Sequence, residues 1–324
     1  MQRFFFVLFI LLGFNSCYRN HTRVSIAVAS SIDTTMPSLE IREREDEYSI
    51  GLFECDSNFQ LKESSISNNP ILCWNKFRPN KPFSLADPFL INDSGRYYIF
   101  YEISNLNTGQ GDIALAESMD LGKTWNHVKT VVDEPFHLSF PCVFKAGSDY
   151  YLVPESAADS SVRLYKATRF PYDWKFQKKI IFGKYVDNSL FYYHHQWWMF
   201  SSLEDGSLHL FYSSTIEGKW NAHPQNPLIK NDYSKYRAGG KVLTLESKMY
   251  RIVQCDTPYY GHYLRAFQIN KLSNTEYEEA EIKNSPILVP SGNSWRRTGM
   301  HQLDGFKLEN NRWLFCADGY GKAD

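Results

Sequence analysis

The residues of this chain that could do chemistry recur at regular distances. Asp87, Ser139, Asp187, Arg237 and His301 each open an apolar run, and they follow one another at intervals of 52, 48, 50 and 64 residues. In four of the five cases a second, aromatic run ends on another polar group 15 to 17 residues further on, at Glu102, Glu155, Gln254 and Asp318, with Asp256 just beyond Gln254. Paired carboxylates can exchange protons as general acid and base. Imidazole and amide groups hold hydroxyls by hydrogen bonds. An arginine fork grips planar anions. Of the 6 cysteines none forms a CxxC pair or shows zinc-ligand spacing, so no metal and no other cofactor is expected.

An internal repeat must position these groups. Asp87-Pro-Phe-Leu-Ile with Arg96-Tyr-Tyr-Ile-Phe-Tyr-Glu102 has the form of a hairpin, and Ser139-Phe-Pro-Cys-Val-Phe with Asp149-Tyr-Tyr-Leu-Val-Pro-Glu155 repeats it. Third and fourth strands fit between the hairpins, as at Asp112–Glu117 and Trp125–Val132. Five units of four strands predict an all-β, five-bladed β-propeller spanning 47–324. The fifth unit ends at Asp318 with the chain nearly exhausted, so its outer strands must come from Tyr48–Cys55 and the segment Pro70–Trp74. Closing the ring in this way removes exposed sheet edges. The segment Ser118-Met-Asp120-Leu-Gly122-Lys-Thr124-Trp125 resembles the Asp-box turn of sialidases, and a structural role is expected for it.

Ahead of the repeats, Met1-Gln2-Arg3 precedes the apolar run Phe4–Phe14 and then Asn15-Ser16-Cys17. A positive start, a short apolar run and small residues have the form of a secretory signal over 1–17, too short to span a membrane comfortably. Export to the periplasm or cell surface is expected, with Cys17 placed where a bacterial lipoprotein carries its lipid anchor. Residues 18–46 are polar, carry the charge run Glu40–Asp46 and show no apolar period, which predicts a tether. A net charge of -1 gives no electrostatic reason for a nucleic-acid partner. Aromatic residues make up 16% of the chain, enough to supply both strand cores and flat faces for stacking on sugar rings.

Neighbouring strands of a blade run antiparallel, so the start of its first strand and the end of its second meet on one face of the disc. That face is expected to gather Asp87, Glu102, Ser139, Glu155, Asp187, Arg237, Gln254, Asp256, His301 and Asp318, with His137 beside them. Such a convergence of charge is costly unless the groups meet a ligand or each other. A carbohydrate ligand fits the polar axis and the aromatic supply. The other reading of the same residues is a network in which Arg237 neutralises Asp87 and Asp187 and pins the blades together.

The openings Ala86-Asp87-Pro88-Phe89 and Val186-Asp187-Asn-Ser-Leu-Phe191 resemble the aspartate motifs of the family-43 glycoside hydrolase clan of five-bladed propellers. A closer resemblance, over about Tyr48 to Gly319, is to the propeller domain at the N-terminus of glucosamine inositolphosphorylceramide transferases. It rests on His137-Leu-Ser-Phe-Pro141, Pro154-Glu155-Ser156, Gly218-Lys-Trp220-Asn-Ala-His223-Pro224-Gln-Asn226-Pro227, Arg237-Ala-Gly239 and Tyr259-Tyr-Gly261. The clan resemblance implies Asp87 as general base and Asp187 as the group that tunes the acid. The clan's acid is a glutamate opening the fourth blade, where this chain has Arg237, and arginine cannot donate a proton at neutral pH. Glu155 is then the candidate acid of an inverting mechanism, which needs the two carboxyls about 6.5–9.5 Å apart. Two readings stay open: a hydrolase-like enzyme with Asp87, Glu155 and Asp187 catalytic, Arg237 taking an acidic group of an anionic glycan and His301 holding the sugar; or a non-catalytic glycan-binding module that serves a glycosyltransferase partner.

Overall fold

The computed structural model describes residues 46–55, 59–74, 84–105, 108–308 and 312–323. The signal-like segment, Cys17 and the tether up to residue 45 lie outside the described residues.

The described chain is a five-bladed propeller of antiparallel sheets. The first blade holds Leu85–Asp93, Arg96–Ser104, Gly111–Ser118 and Asn126–Val132, from the axis outwards. The second holds Ser139–Ala146, Asp149–Glu155, Ser161–Arg169 and Asp173–Phe182. The third runs from Val186–Tyr193 through Gln196–Leu203 and Ser207–Ser213 to the short Asn221–Ala222. In the fourth the inner strand is broken into Arg237–Ala238 and Leu243–Leu245, both paired with Lys248–Cys255, outside which lie Tyr263–Leu272 and Tyr277–Glu281. Inner strands are apolar almost throughout because each blade is packed on both faces, whereas outer strands such as Asn126–Val132 are largely exposed.

The fifth blade is closed by the N-terminal strand as expected, but its outermost strand is Lys62–Glu63 and not Pro70–Trp74, which meets the closing strand only at an isolated bridge between Leu72 and Ile50. Leu303–Lys307 and Trp313–Gly321 are followed outwards by the N-terminal strand Glu47–Cys55, then by Lys62–Glu63. Glu47–Cys55 pairs with Trp313–Gly321 along its whole length, with Ile50 opposite Asp318. One blade is therefore assembled from both ends of the described chain, and the ring cannot form without either.

Hydrogen bonds across the axis hold the inner strands together. The Leu303 amide donates to the Gly239 carbonyl at 2.8 Å, and the Ser189 hydroxyl donates to the Gly240 carbonyl at 2.8 Å. Gly240 has φ +145°, and a Cβ there would sit 1.9 Å from the Leu303 carbonyl oxygen, so only glycine lets blades four and five approach so closely. Deeper still, Asp304 accepts the Leu90 amide at 2.8 Å and pairs with the Lys241 ammonium at 2.9 Å, which joins blades five, one and four.

The Asp-box-like turn is structural, as expected. Asp120 accepts from the Ser118 hydroxyl at 2.8 Å and from the Thr124 amide and hydroxyl at 2.9 and 2.7 Å, while the Trp125 indole donates to the Gly122 carbonyl at 3.1 Å. These bonds pull the Asp120 carboxyl down to about 2. Asp120→Ala should lower the melting temperature of the propeller measurably while leaving ligand affinity unchanged, because the turn closes the outer strands of blade one far from the axis.

Candidate functional site

Local backbone geometry aims the two aspartates. In blades one, two and three the pairing slips by a bulge just after the inner strand begins, between Ala86 and Phe89, Ser139 and Cys142, and Val186 and Ser189. The residue at each bulge takes positive φ: Asp87 at 53°, Phe140 at 43° and Asp187 at 50°. Bulges re-aim side chains, and backbone strain of this kind collects at functional sites. Pro88 and Pro141 follow two of these bulges, where a missing N–H leaves no ladder bond unmade.

This register corrects one expectation. Ser139 is not the counterpart of Asp87 and Asp187; it pairs with Glu155 as Ala86 pairs with Glu102, and the counterpart is Phe140, one residue on. In a strand a one-residue offset reverses the face on which a side chain stands. By the same rule Arg237, paired with Gln254, stands in register with Ala86 and Ser139 rather than with the two aspartates.

The remaining expected residues converge around the axis in two linked groups. In the first, the Asp318 carboxylate is completely buried and takes four donors: the Asp87 amide at 2.8 Å, the His301 amide at 3.2 Å, the Gln302 amide at 2.9 Å and His301 Nδ1 at 2.7 Å. Asp318 thus fixes His301 and Asp87 in place. Asp318 is therefore not the ligand contact that its place in the sequence suggests, since both its oxygens are committed to protein donors. His301 Nε2 lies 3.6 Å from Asp87 Oδ1, while Asp87 Oδ2 accepts the Phe140 amide at 3.0 Å. Burial pulls the His301 imidazole down, but the carboxylates of Asp318, Asp87 and Asp187 outweigh it and raise the ring to about 9. Burial likewise pushes Asp87 up to about 7, against the pull of His301. Asp87, His301 and Asp318 also have ligand atoms within 4.8 Å of one another, the spacing of a cation site, yet their contacts with each other already account for that closeness.

In the second group Arg237 bonds through Nε to Asp187, and its Nη2 lies 3.8 Å from Glu155. Glu155 Oε2 in turn accepts the Asp187 amide at 3.3 Å. Burial, then the Asp187 charge, pushes the Glu155 carboxyl well above its usual range while Arg237 opposes them. Of the two sequence readings of Arg237, an acidic group on the ligand or a network with Asp87 and Asp187, its contacts agree with the network in part: the guanidinium goes to Asp187 and Glu155, beneath the Tyr260 ring at 5.0 Å.

Around these lie the other expected groups. Glu102 faces His137 Nε2 at 3.9 Å, and burial together with the charges of Asp87 and Glu155 raises its carboxyl. His137 Nδ1 accepts the Gly111 amide at 2.8 Å, and burial lowers its ring. Gln254 donates to Asp256 at 2.6 Å, and the Gly261 amide donates to the same carboxylate at 3.0 Å.

Two tyrosines escaped the sequence reading. Tyr48 stacks on His301 with centroids 4.4 Å apart, and Tyr260 meets the same imidazole edge-on at 5.5 Å. Tyr260 could have been found, since the Tyr259-Tyr260-Gly261 turn follows a second strand and so falls on the axial face. Tyr48 carried no such signal, because the closing strand contributes to a site over 250 residues away in sequence. Outside the axis, crevices of about 200 and 240 Å³ lie on the flanks of the blades, one beside Lys62 and Arg296 and one beside Lys235 and Glu279, and neither contains any of the converging residues.

Residues 41–320 match the family model of glucosamine inositolphosphorylceramide transferase 1, N-terminal. The glucosamine inositolphosphorylceramide transferase 1 of Arabidopsis thaliana is 33% identical over 306 residues, which cover 87% of this chain and 40% of that one. The Oryza sativa subsp. japonica protein of the same name is 31% identical over 298 residues, 85% of this chain and 40% of that one. The chain therefore spans about 40% of the length of these relatives. Among solved structures, the catalytic domain of a Coprinopsis cinerea GH62 α-L-arabinofuranosidase superposes with TM-score 0.58 at 12% identity, covering 83% of this chain and 97% of that one. An exo-β-1,3-galactanase from Clostridium thermocellum gives 0.55 at 13% identity over 64% of this chain and 51% of that one. At such identities these likenesses establish the propeller fold. By the matched span and these identities, the chain belongs to the family of the glucosamine inositolphosphorylceramide transferase 1 N-terminal domain.

Proposed function

We propose that the axial site binds a sugar of a glycan and that its primary work is recognition. The observation that carries this reading is the commitment of Arg237. It stands at the opening of blade four, paired with Asp187 and close to Glu155, where the glycosidase resemblance calls for a free acid. What the site offers a ligand is hydrogen-bonding carboxyl and imidazole groups at Asp87, Glu102, Glu155 and His301 under the half-exposed ring of Tyr260. Sugar rings present just this mixture of hydroxyls and apolar faces. With both cations paired to carboxylates, a neutral glycan fits better than the anionic one that Arg237 first suggested.

A second reading, cleavage, is favoured by Glu155. A carboxyl whose proton is favoured by burial and by Asp187 is suited to donate, and Asp87 would serve as the base of an inverting hydrolysis. Titrating a panel of neutral and acidic oligosaccharides and assaying for new reducing ends separates the two. Recognition predicts binding without cleavage and Glu155→Gln affinities within about tenfold of the parent, because the amide keeps shape and most hydrogen bonds. Cleavage that Glu155→Gln abolishes would establish the second reading, and no binding to any sugar would refute both.

The relatives' name supports a setting in which the propeller recognises a glycan for a glycosyltransferase partner. Export through the N-terminal segment, with attachment at Cys17, belongs to the same proposal. It predicts that Cys17→Ser releases the protein from the membrane fraction.

A further inference from the structure

The exposed tyrosines of the axial face are not scattered. Tyr260, 46% exposed, covers Arg237 and touches His301. Next to it in the chain, Tyr259 is 47% exposed, and its hydroxyl donates to the Thr298 carbonyl at 3.0 Å. Thr298 in turn donates its amide to the Tyr320 carbonyl at 3.0 Å, and the partly exposed Tyr320 ring lies 5.0 Å from Tyr48, which is stacked on His301. Through these contacts the four tyrosines gather beside His301 where blades four and five meet, with Tyr260, Tyr259 and Tyr320 exposed. Each ring is held by a neighbour or a hydrogen bond, so a ligand stacking on it orders little that is not already ordered. Gly261 keeps the arrangement compact: at φ +66°, a Cβ there would stand 3.0 Å from both the Tyr48 hydroxyl and the His301 Cβ.

Contiguous exposed aromatic surface of this kind marks a binding site. Its occupant is indicated by closeness to the axial site, since Tyr260 touches His301 and the equally exposed Tyr259 precedes it in the same turn. We propose that the ligand is an oligosaccharide of at least three residues, with one sugar at the axis and the following sugars stacked along Tyr260, Tyr259 and Tyr320. This rests on the glycan reading above and adds chain length and direction to it. Sugar rings with an apolar face suit the flat face of tyrosine.

The test is calorimetric titration of the whole chain with arabino-, xylo- and galacto-oligosaccharides of one to five residues, repeated for Tyr259→Ala. For at least one series, affinity should rise about tenfold or more from the monosaccharide to the trisaccharide and then level off. Tyr259→Ala should lower trisaccharide affinity several-fold while monosaccharide affinity and melting temperature stay at the parent values. Affinity independent of chain length, or a variant that weakens mono- and trisaccharide equally, would overturn the tyrosine subsites and leave the axial site standing. Failure of every sugar in all lengths would instead remove the glycan reading itself.

Discussion

Replacing Arg237 with alanine should destabilise the propeller by about 3–5 kcal/mol at neutral pH, the cost of leaving buried carboxylates without their cation. Arg237, Asp187 and Glu155 are all buried, and one guanidinium bonds the first carboxylate while lying 3.8 Å from the second. A buried ion pair adds little by itself, but breaking it strands the surviving charge. Urea denaturation at pH 7.5 measures the loss. Combining Arg237→Ala with Asp187→Asn should cost clearly less than the two single losses together, since the amide removes the stranded charge. A loss under about 1 kcal/mol would mean that water already reaches this group and that the pocket is more open than its burial implies.

The second large effect is on pH dependence. Asp87 is raised from 3.8 to about 7 and His301 from 6.5 to about 9, so between these values the folded state holds protons that the unfolded chain has released. The stability these two groups contribute is therefore fully present only below about pH 4. It falls as pH rises, first through the Asp87 window of about 4 to 7, then through the His301 window of about 6.5 to 9. The His301 step alone corresponds to roughly 3 kcal/mol. Because the two groups face each other at 3.6 Å, the steps belong to the pair rather than to either residue. His301→Gln should flatten the upper window and push the Asp87 step higher, since the imidazolium that favours the ionised carboxylate is gone. Parent stability that rises between pH 5 and 9 would contradict the protonated imidazole.

The ring itself was legible in the sequence because a propeller repeats its chemistry radially. Five polar openings at blade spacing, each followed by paired apolar runs, fix both strand count and face, since antiparallel neighbours bring alternate strand ends together. Closure by Glu47–Cys55 was legible for a related reason: the fifth unit lacks its outer strands, and an open blade edge is unstable.

What the sequence left open was partnership. Ser139 read as an equal of Asp87 because spacing is blind to a bulge, and the bulge, not the count, places Phe140 at φ +43° in that role. Asp318 and Arg237 read as ligand contacts because each is a charged residue on the correct face. Whether such a residue meets a ligand or a neighbour depends on distances across the axis, which are set by five blades packing at once. Tyr48 shows this most plainly. It reaches His301 only because the chain's first described strand becomes the third strand of its last blade, and no local pattern of residues encodes a contact made by closing a ring.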